Sequence, residues 1–236
     1  MADPVPYRRP YWQCQPEYLY APYKSTAKRA PTQPLVMPPQ TISEVTGPLF
    51  GHGDVKAEEA DLTAQHASEP LGERMIVTGR VLDENARPLP DVLLEIWQAN
   101  AAGRYRHATD RHDAPLDPNF TGCGRVVTDA EGRYRFKTIK PGAYPWRNHY
   151  NAWRPAHIHL SIFGRGFMQR LVTQFYFPGD PLLEYDPMYT CVPDERARRS
   201  LVAQFDWEHT EPEHAIAYRF DVVLRGRDAT PMERAR

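Results

Sequence analysis

The chain has 236 residues, enough for one substantial core or for a core with appended arms. Its 29 lysines and arginines nearly balance its 30 aspartates and glutamates, and this argues against nucleic-acid binding, which usually needs a basic excess. No apolar run approaches the roughly 20 residues of a membrane helix, and no apolar signal core follows the first arginines. Cys14, Cys123 and Cys191 show no disulfide or zinc pattern. We therefore expect a soluble, cytoplasmic protein.

The N-terminal part of the sequence differs from the rest. Residues 1–50 are rich in proline and tyrosine and have no sustained period, and residues 51–70 are polar and acidic. A disordered tail is usually poor in aromatic residues, so an extended arm is expected to pack on something. The sequence predicts an arm and loop over residues 1–70, lying on the core or on a partner subunit, followed by a domain over residues 71–236.

From Met75 onwards the sequence has the pattern of many short strands separated by turns. Apolar and β-branched runs recur, and Pro, Gly, Asp and Asn clusters divide them. The strand candidates are residues 75–82, 92–97, 134–139, 157–162, 171–177 and 217–224. One helix is predicted from Glu195 to Phe205, capped by Asp194. The fold class predicted is all-β, a two-sheet sandwich with long loops, an extended N-terminal arm and a few short helices.

The first candidate site is a pair of histidines in a predicted strand. His157 and His159 are two residues apart, so their imidazoles lie on the same side of the strand and can converge on one metal ion. This pattern alone is weak, because two histidines on one face are also found as hydrogen-bonded core or surface groups.

Two tyrosines in nearby loops strengthen the metal hypothesis. Tyr105 follows Gly103 in a loop after a strand, and Tyr144 lies between a Pro-Gly turn and Pro145. Phenolate is a hard anionic donor, and two tyrosinates with two neutral histidines suit a trivalent ion such as Fe³⁺. With one hydroxide the total charge is zero, which lowers the cost of burying the site. The spacing equally allows tyrosines that only pack in the core or in loops.

Several longer motifs resemble one enzyme family, the intradiol ring-cleaving dioxygenases. The runs that carry the resemblance are Leu94–Asn100, Gly103–His107, Leu116–Phe120, Thr138–Asn148 and Trp153–His159. Within the family the chain looks most like the iron-bearing beta subunit of hetero-oligomeric members. Two runs of the arm, Tyr23–Ser25 and Gln40–Glu44, are similar to that subunit as well.

The resemblance implies a function and a set of site residues. It implies that a catecholic acid is cleaved by O₂ between its hydroxylated carbons, with non-haem Fe³⁺ as cofactor and a homologous alpha subunit as partner in an (alpha-beta)n assembly. The implied iron ligands are Tyr105, Tyr144, His157 and His159, with Tyr144 the ligand released when substrate binds. Arg154 is implied to be catalytic and to contact substrate, and the other implied substrate-binding residues are Tyr23, Trp146 and Gln174.

Three alternatives remain at this stage. The chain is an intradiol enzyme for another catechol such as catechol or hydroxyquinol, or a non-catalytic homologue of the alpha type, or a metal-free transthyretin-like binding module. The runs Gly79–Asp83 and Asp129–Tyr134 alone permit the last of these. It leaves the paired histidines and the two tyrosine loops unexplained.

Overall fold

The computed structural model describes residues 12–34, 36, 52–150, 153–164 and 170–233. The arm run Gln40–Glu44 lies outside these residues. The strands are β1 (Arg74–Leu82), β2 (Leu93–Trp97), β3 (Cys123–Val127), β4 (Arg133–Ile139), β5 (Tyr144–Pro145), β6 (Trp153–Arg154), β7 (His157–Phe163), β8 (Arg170–Tyr176), β9 (Gln204–Phe205), β10 (Ile216–Arg219) and β11 (Val222–Val223). The α-helices are short, α1 (Pro187–Thr190) and α2 (Glu195–Arg199).

Two sheets form the sandwich. In the first sheet β1 is central, with β4 antiparallel on one side and β10 and β11 parallel on the other, and β9 pairs with β10. The second sheet has the antiparallel order β3-β2-β7-β8. The main core lies between them and includes Val77, Phe136, Leu94, Ile158 and Phe175. The predicted all-β sandwich with few short helices is confirmed.

Strand β7 is buried on both faces, and this places the candidate histidines. Ile158, Leu160 and Ile162 belong to the core cluster between the sheets. Because side chains alternate along a strand, His157 and His159 point to the opposite, outer face of the second sheet. They are nevertheless only 2% and 7% exposed, respectively. The long loops therefore cover the outer face, and a polar site lies beneath them.

The strand predictions were mostly right, with several differences. The sequence pattern did not predict β3 or the two-residue strands β5, β6 and β9, and it joined β10 and β11, which are separated at Phe220 and Asp221. The predicted helix from Glu195 to Phe205 was too long. Asp194 caps it as expected, accepting from the Ala197 amide at 2.9 Å. The chain then leaves the helix to hydrogen-bond with the end of β8, where the Ala203 amide donates to the Tyr176 carbonyl at 2.9 Å.

Parts of the segment before β1 pack closely on the sandwich. Leu62 is fully buried in the main core, and Glu59 pairs with Arg125 of β3 at 2.6 Å. A 3-10 helix at Lys24–Lys28 lies next to the β5–β6 loop, where the Lys24 amide donates to the Asn148 carbonyl at 3.0 Å. None of the helices in the described residues has the length and apolar character to cross a membrane.

Candidate metal centre

Cross-strand pairing surrounds the two histidines with polar and aromatic neighbours. His159 is paired with Trp97 on β2 and with Gln174 on β8, and His157 is paired with Tyr176 on β8. The Trp97 and His159 rings stack with a centroid distance of 4.8 Å and an angle of 3°. Paired side chains on adjacent strands lie side by side. The outer face of β2, β7 and β8 thus forms the floor of the site.

Backbone packing brings the two tyrosine loops together. The Gly142 and Gly103 amides both donate to the Asn100 carbonyl at 3.0 Å. Gly103 has a φ of 78°, and a β-carbon there would lie 2.2 Å from the Ala143 carbonyl oxygen. Only glycine fits such a close approach of two backbones at positive φ. The glycines of both loops are therefore needed to place Tyr105 beside Tyr144.

The four proposed ligands lie together in the structure. The ring centroids are 5.4 Å apart for Tyr105 and Tyr144, 5.4 Å for Tyr144 and His157, and 4.9 Å for His157 and His159. Tyr105 and His159 close the group at 6.3 Å. Tyr144 Oη lies 3.3 Å from His157 Nε2. The sequence prediction that these residues form one group is consistent with this geometry.

Each histidine has its outer nitrogen bound to an acceptor. His157 Nδ1 donates to the Pro155 carbonyl, and His159 Nδ1 donates to Glu233 Oε2, both at 2.7 Å. Both acceptors leave the Nε2 lone pair available for a metal ion. Burial, with the nearby Arg154 charge and His159, holds the pKa of His157 well below its usual range. His157 is thus neutral, as a metal ligand must be.

The chemistry of the two phenols suits the binding of a cation. Burial raises the pKa of Tyr105 well above its ordinary value, and burial also raises that of Tyr144, although Arg154 opposes this. Tyr105 Oη is buried, makes no hydrogen bond of good geometry within the described part of the chain, and has the Tyr144 phenol as its polar neighbour. An orphaned buried hydroxyl is costly, and a bound cation supplies a partner and favours the phenolate. The donor set therefore fits a hard metal ion.

His, Cys, Asp and Glu side chains do not by themselves make a metal site in the described part of the chain. No cluster of three or more such side chains suited to a metal occurs in the described ranges. The candidate centre has only two histidines, so it depends on the tyrosines to complete its ligands. This is why the loop motifs are more informative than the paired histidines alone.

Arg154 lies beside the four ligands in a buried hydrogen-bond network. Its Nη1 atom donates to Tyr144 Oη at 3.1 Å and to His157 Nε2 at 3.0 Å. Its Nη2 atom donates to Asp186 Oδ2 at 2.8 Å and to Gln174 Oε1 at 3.1 Å. Burial would lower the pKa of Arg154, but attraction to Asp186 and then Tyr144 outweighs it, so the guanidinium stays charged. A metal bound by His157 must displace the contact from Nη1 to Nε2.

The remaining substrate-binding candidates extend the site towards the arm. The Arg154 guanidinium lies 5.2 Å from the centre of the Trp146 ring. Trp146 in turn packs against Tyr23 with a centroid distance of 4.9 Å, and Arg29 lies 4.8 Å from the Tyr23 ring. Tyr23 is 6% exposed. The structure thus connects Tyr23 of the arm to Arg154 through two contacts.

Sequence reasoning missed two acidic residues that support the site. Asp186 is fully buried and accepts from both Nε and Nη2 of Arg154, and it also caps helix α1. Glu233, close to the end of the chain, accepts from His159. Asp186 precedes Pro187, a typical helix start, and this signal was available. Nothing local in the sequence indicates Glu233.

Comparison with known sequences gives consistent results. The family model for Dioxygenase matches residues 45–226, and the model for the protocatechuate 3,4-dioxygenase beta subunit N terminal matches residues 7–41. The protocatechuate 3,4-dioxygenase beta chain of Burkholderia cepacia is 58% identical over 94% of this chain and 95% of its own length. The alpha chain from the same organism is 32% identical over 81% of this chain and 95% of its length.

Solved structures agree with the sequence relatives. Catechol 1,2-dioxygenase from Acinetobacter sp. ADP1 is 28% identical with a TM-score of 0.52, covering 72% of this chain and 58% of that one. The dioxygenase domain of a carbohydrate-binding fusion protein from Streptomyces sp. SirexAA-E is 28% identical with a TM-score of 0.51, covering 70% and 86%. These matches, the sandwich and the arrangement of its outer face lead to one conclusion: the chain belongs to the intradiol ring-cleaving dioxygenase family.

Proposed function

We propose that the chain is the iron-bearing beta subunit of a protocatechuate 3,4-dioxygenase, which cleaves protocatechuate with O₂ to 3-carboxy-cis,cis-muconate. The observation that carries this function is the grouping of two half-buried tyrosines and two buried histidines on the outer sheet face. The 58% identity to a beta chain of that enzyme over nearly the whole chain supports the substrate. The reaction class follows from the family.

The proposed ligands of a non-haem Fe³⁺ are Tyr105, Tyr144, His157 and His159. Two tyrosinates and one hydroxide balance the three charges of the ion, so the ion together with these ligands would carry no net charge. Iron(III) held there would draw electron density from a chelated catecholate and make the ring susceptible to O₂. The protein's own contribution is to position the substrate, balance the charge and exclude water.

Tyr144 and Arg154 are proposed to handle protons and charge. Tyr144 Oη already accepts a hydrogen bond from Arg154 Nη1 at 3.1 Å. A Tyr144 phenolate released from the site is a base and is placed to take a proton from a substrate hydroxyl. Arg154 stays cationic and faces the same space, so it stabilises negative charge that develops on the substrate ring. The same hydrogen bond keeps the released phenol side chain in place.

We propose different roles in substrate binding for Gln174, Trp146 and Tyr23. Gln174 Oε1 accepts from Arg154 Nη2 at 3.1 Å and so orients the guanidinium. Trp146 lies between Arg154 and Tyr23 and is proposed to form a wall of the substrate-binding region. Tyr23 is proposed to lie near the ring carboxylate, where its phenol can donate a hydrogen bond. The nearby Arg29 charge favours an anionic ligand in this region.

The proposal includes a partner and a location. The chain is expected to assemble with a homologous alpha subunit. The support for this is its similarity to both the beta chain and the alpha chain of protocatechuate 3,4-dioxygenase from one organism. The arm over residues 1–70 and the sandwich domain over residues 71–236 remain our proposed division. A cytoplasmic location is proposed, since Cys14, Cys123 and Cys191 are thiols rather than disulfides and disulfides are rare in that compartment.

Oxygen consumption by the purified protein tests the function. The chain is produced together with its alpha-type partner in iron-replete cells, and O₂ uptake is compared for protocatechuate, catechol and hydroxyquinol. We expect uptake with protocatechuate to be the fastest, with one O₂ consumed per ring cleaved and 3-carboxy-cis,cis-muconate as the product. Faster turnover of catechol or hydroxyquinol would instead identify an intradiol enzyme for another substrate. Absence of ring cleavage with all three would refute the proposal.

A further inference from the structure

We propose that Glu233 is a positioning residue that fixes His159 and increases its strength as a metal ligand. This inference rests on the proposed function, because it assigns a task to a side chain outside the four ligands. Glu233 lies beyond residue 226, where the match to the family model ends. Glu233 therefore lies in a part of the chain that the family motifs do not cover.

The segment before Glu233 is held firmly along strand β8. The Thr230 amide donates to the Val223 carbonyl at 2.8 Å, and Thr173 Oγ1 donates to the Pro231 carbonyl at 2.7 Å. The Glu233 amide donates to the Val172 carbonyl at 2.6 Å. Val172 and Thr173 directly precede Gln174, the cross-strand neighbour of His159. The backbone of the segment is thus fixed along β8, the neighbour of the ligand strand β7, and Glu233 is held there.

The side-chain contact sets the orientation of the His159 ring. Glu233 Oε2 lies 2.7 Å from His159 Nδ1, and the two side chains are only 15% and 9% exposed. A carboxylate accepts but does not donate, so Nδ1 carries the proton and Nε2 keeps its lone pair for the metal. Stacking on Trp97 at 4.8 Å fixes the plane of the same ring. Tautomer and direction are therefore both determined before a metal binds.

The two histidines differ in their outer partners. His157 Nδ1 donates to the neutral Pro155 carbonyl, whereas His159 Nδ1 donates to a carboxylate. A negatively charged acceptor draws the proton towards itself and makes the imidazole a better electron donor to the metal. We therefore expect His159 to be the stronger of the two imidazole donors. Removing the charge at residue 233 should weaken that bond without altering the other three ligands.

Two variants separate the effect of the charge at residue 233 from the effect of the hydrogen bond. They are Glu233→Gln and Glu233→Ala, made in the full chain with its partner subunit. Gln keeps a hydrogen-bond acceptor without the charge, and Ala removes both. The readouts are the rate of iron loss to a chelator and the position of the visible tyrosinate-to-iron absorption band. Asp228→Asn is the matched control, because it removes a carboxylate of the same segment that forms an exposed ion pair with Arg196. Thermal unfolding of every variant detects general damage.

We expect Glu233→Ala to lose iron about 10- to 100-fold faster than wild type, as for other outer partners of ligand histidines. Its absorption band should move to longer wavelength, because a weaker donor leaves the iron more electron-poor. Glu233→Gln should fall between Ala and wild type, and Asp228→Asn should match wild type. Wild-type rates and band position in both Glu233 variants would overturn this inference while leaving the proposed function intact. A wild-type protein that binds no iron would instead refute the proposed function.

Discussion

The buried pair of Arg154 and Asp186 gives a prediction with a large expected effect. The pair is 2.8 Å apart with side chains 4% and 0% exposed, so both charges are removed from water. Replacing one partner leaves the other charge buried without compensation, at a cost of about 3–5 kcal/mol. Asp186→Asn retains an oxygen for capping helix α1 and so isolates the charge. For a chain of this size the melting temperature should fall by about 6–20 °C.

Thermal unfolding of four variants provides the assay. Asp228→Asn breaks a surface pair with Arg196 of nearly the same length, 2.9 Å, but with side chains 54% and 71% exposed. It should cost less than about 1 kcal/mol. Asp186→Asn, Arg154→Met and the double variant complete a thermodynamic cycle. The double variant should lose at least about 2 kcal/mol less than the sum of the single variants, because no charge remains unpaired. Additive losses, or an Asp186→Asn variant that melts with wild type, would refute the reasoning.

Three further predictions concern the core, the loops and pH. Leu160→Ala, on the core face of β7, should cost about 2–5 kcal/mol by chemical denaturation yet retain wild-type iron content, and iron loss would contradict the separation of the two faces. Gly103→Ala places a β-carbon 2.2 Å from the Ala143 carbonyl oxygen and should reduce iron content and thermal stability together, whereas unchanged iron would show that the loop contact is unnecessary. The hydrogen bond from Arg125 lowers the pKa of Glu59 in the folded protein. The stabilisation from this pair is therefore fully present above the unfolded-state pKa of about 4.3, and it is lost as the pH falls through the lower pKa of the folded state. Glu59→Gln should therefore weaken the dependence of unfolding free energy on pH between about 3 and 5, and an unchanged slope would contradict the assignment.

Much of the fold followed from local sequence patterns. Alternation in β1 and β4 and the Pro-Gly and Asp-rich turns predicted the strands and their boundaries well. Strand β3 was missed because Cys123–Val127 contains only two β-branched residues, and pairing with β2 is what makes it a strand. The helix after Asp194 was predicted too long for a similar reason, since a non-local contact with Tyr176 ends it.

The candidate site likewise contains residues that the sequence indicates and residues that it does not. Residues that bring their own motif, such as Tyr144 after its Pro-Gly turn or His157 and His159 in one strand, were found from the sequence. Residues whose role depends on contacts across the fold were not. Asp186 reaches Arg154 over 32 residues, and Glu233 reaches His159 over 74. No local sequence pattern distinguishes Asp186 and Glu233 from other acidic residues as parts of this site. Their roles follow from the fold, which places them beside Arg154 and His159.

The central claim is that Tyr105, Tyr144, His157 and His159 hold one ferric ion. The most direct measurement is the visible spectrum and iron content of the purified protein, compared with Tyr105→Phe, Tyr144→Phe and a double Phe variant. We expect a red-brown protein with about one iron per chain, a weakened or shifted band in each single variant, and no tyrosinate band in the double variant. A colourless wild-type protein from iron-replete cells, or a double variant with the full wild-type band, would contradict it.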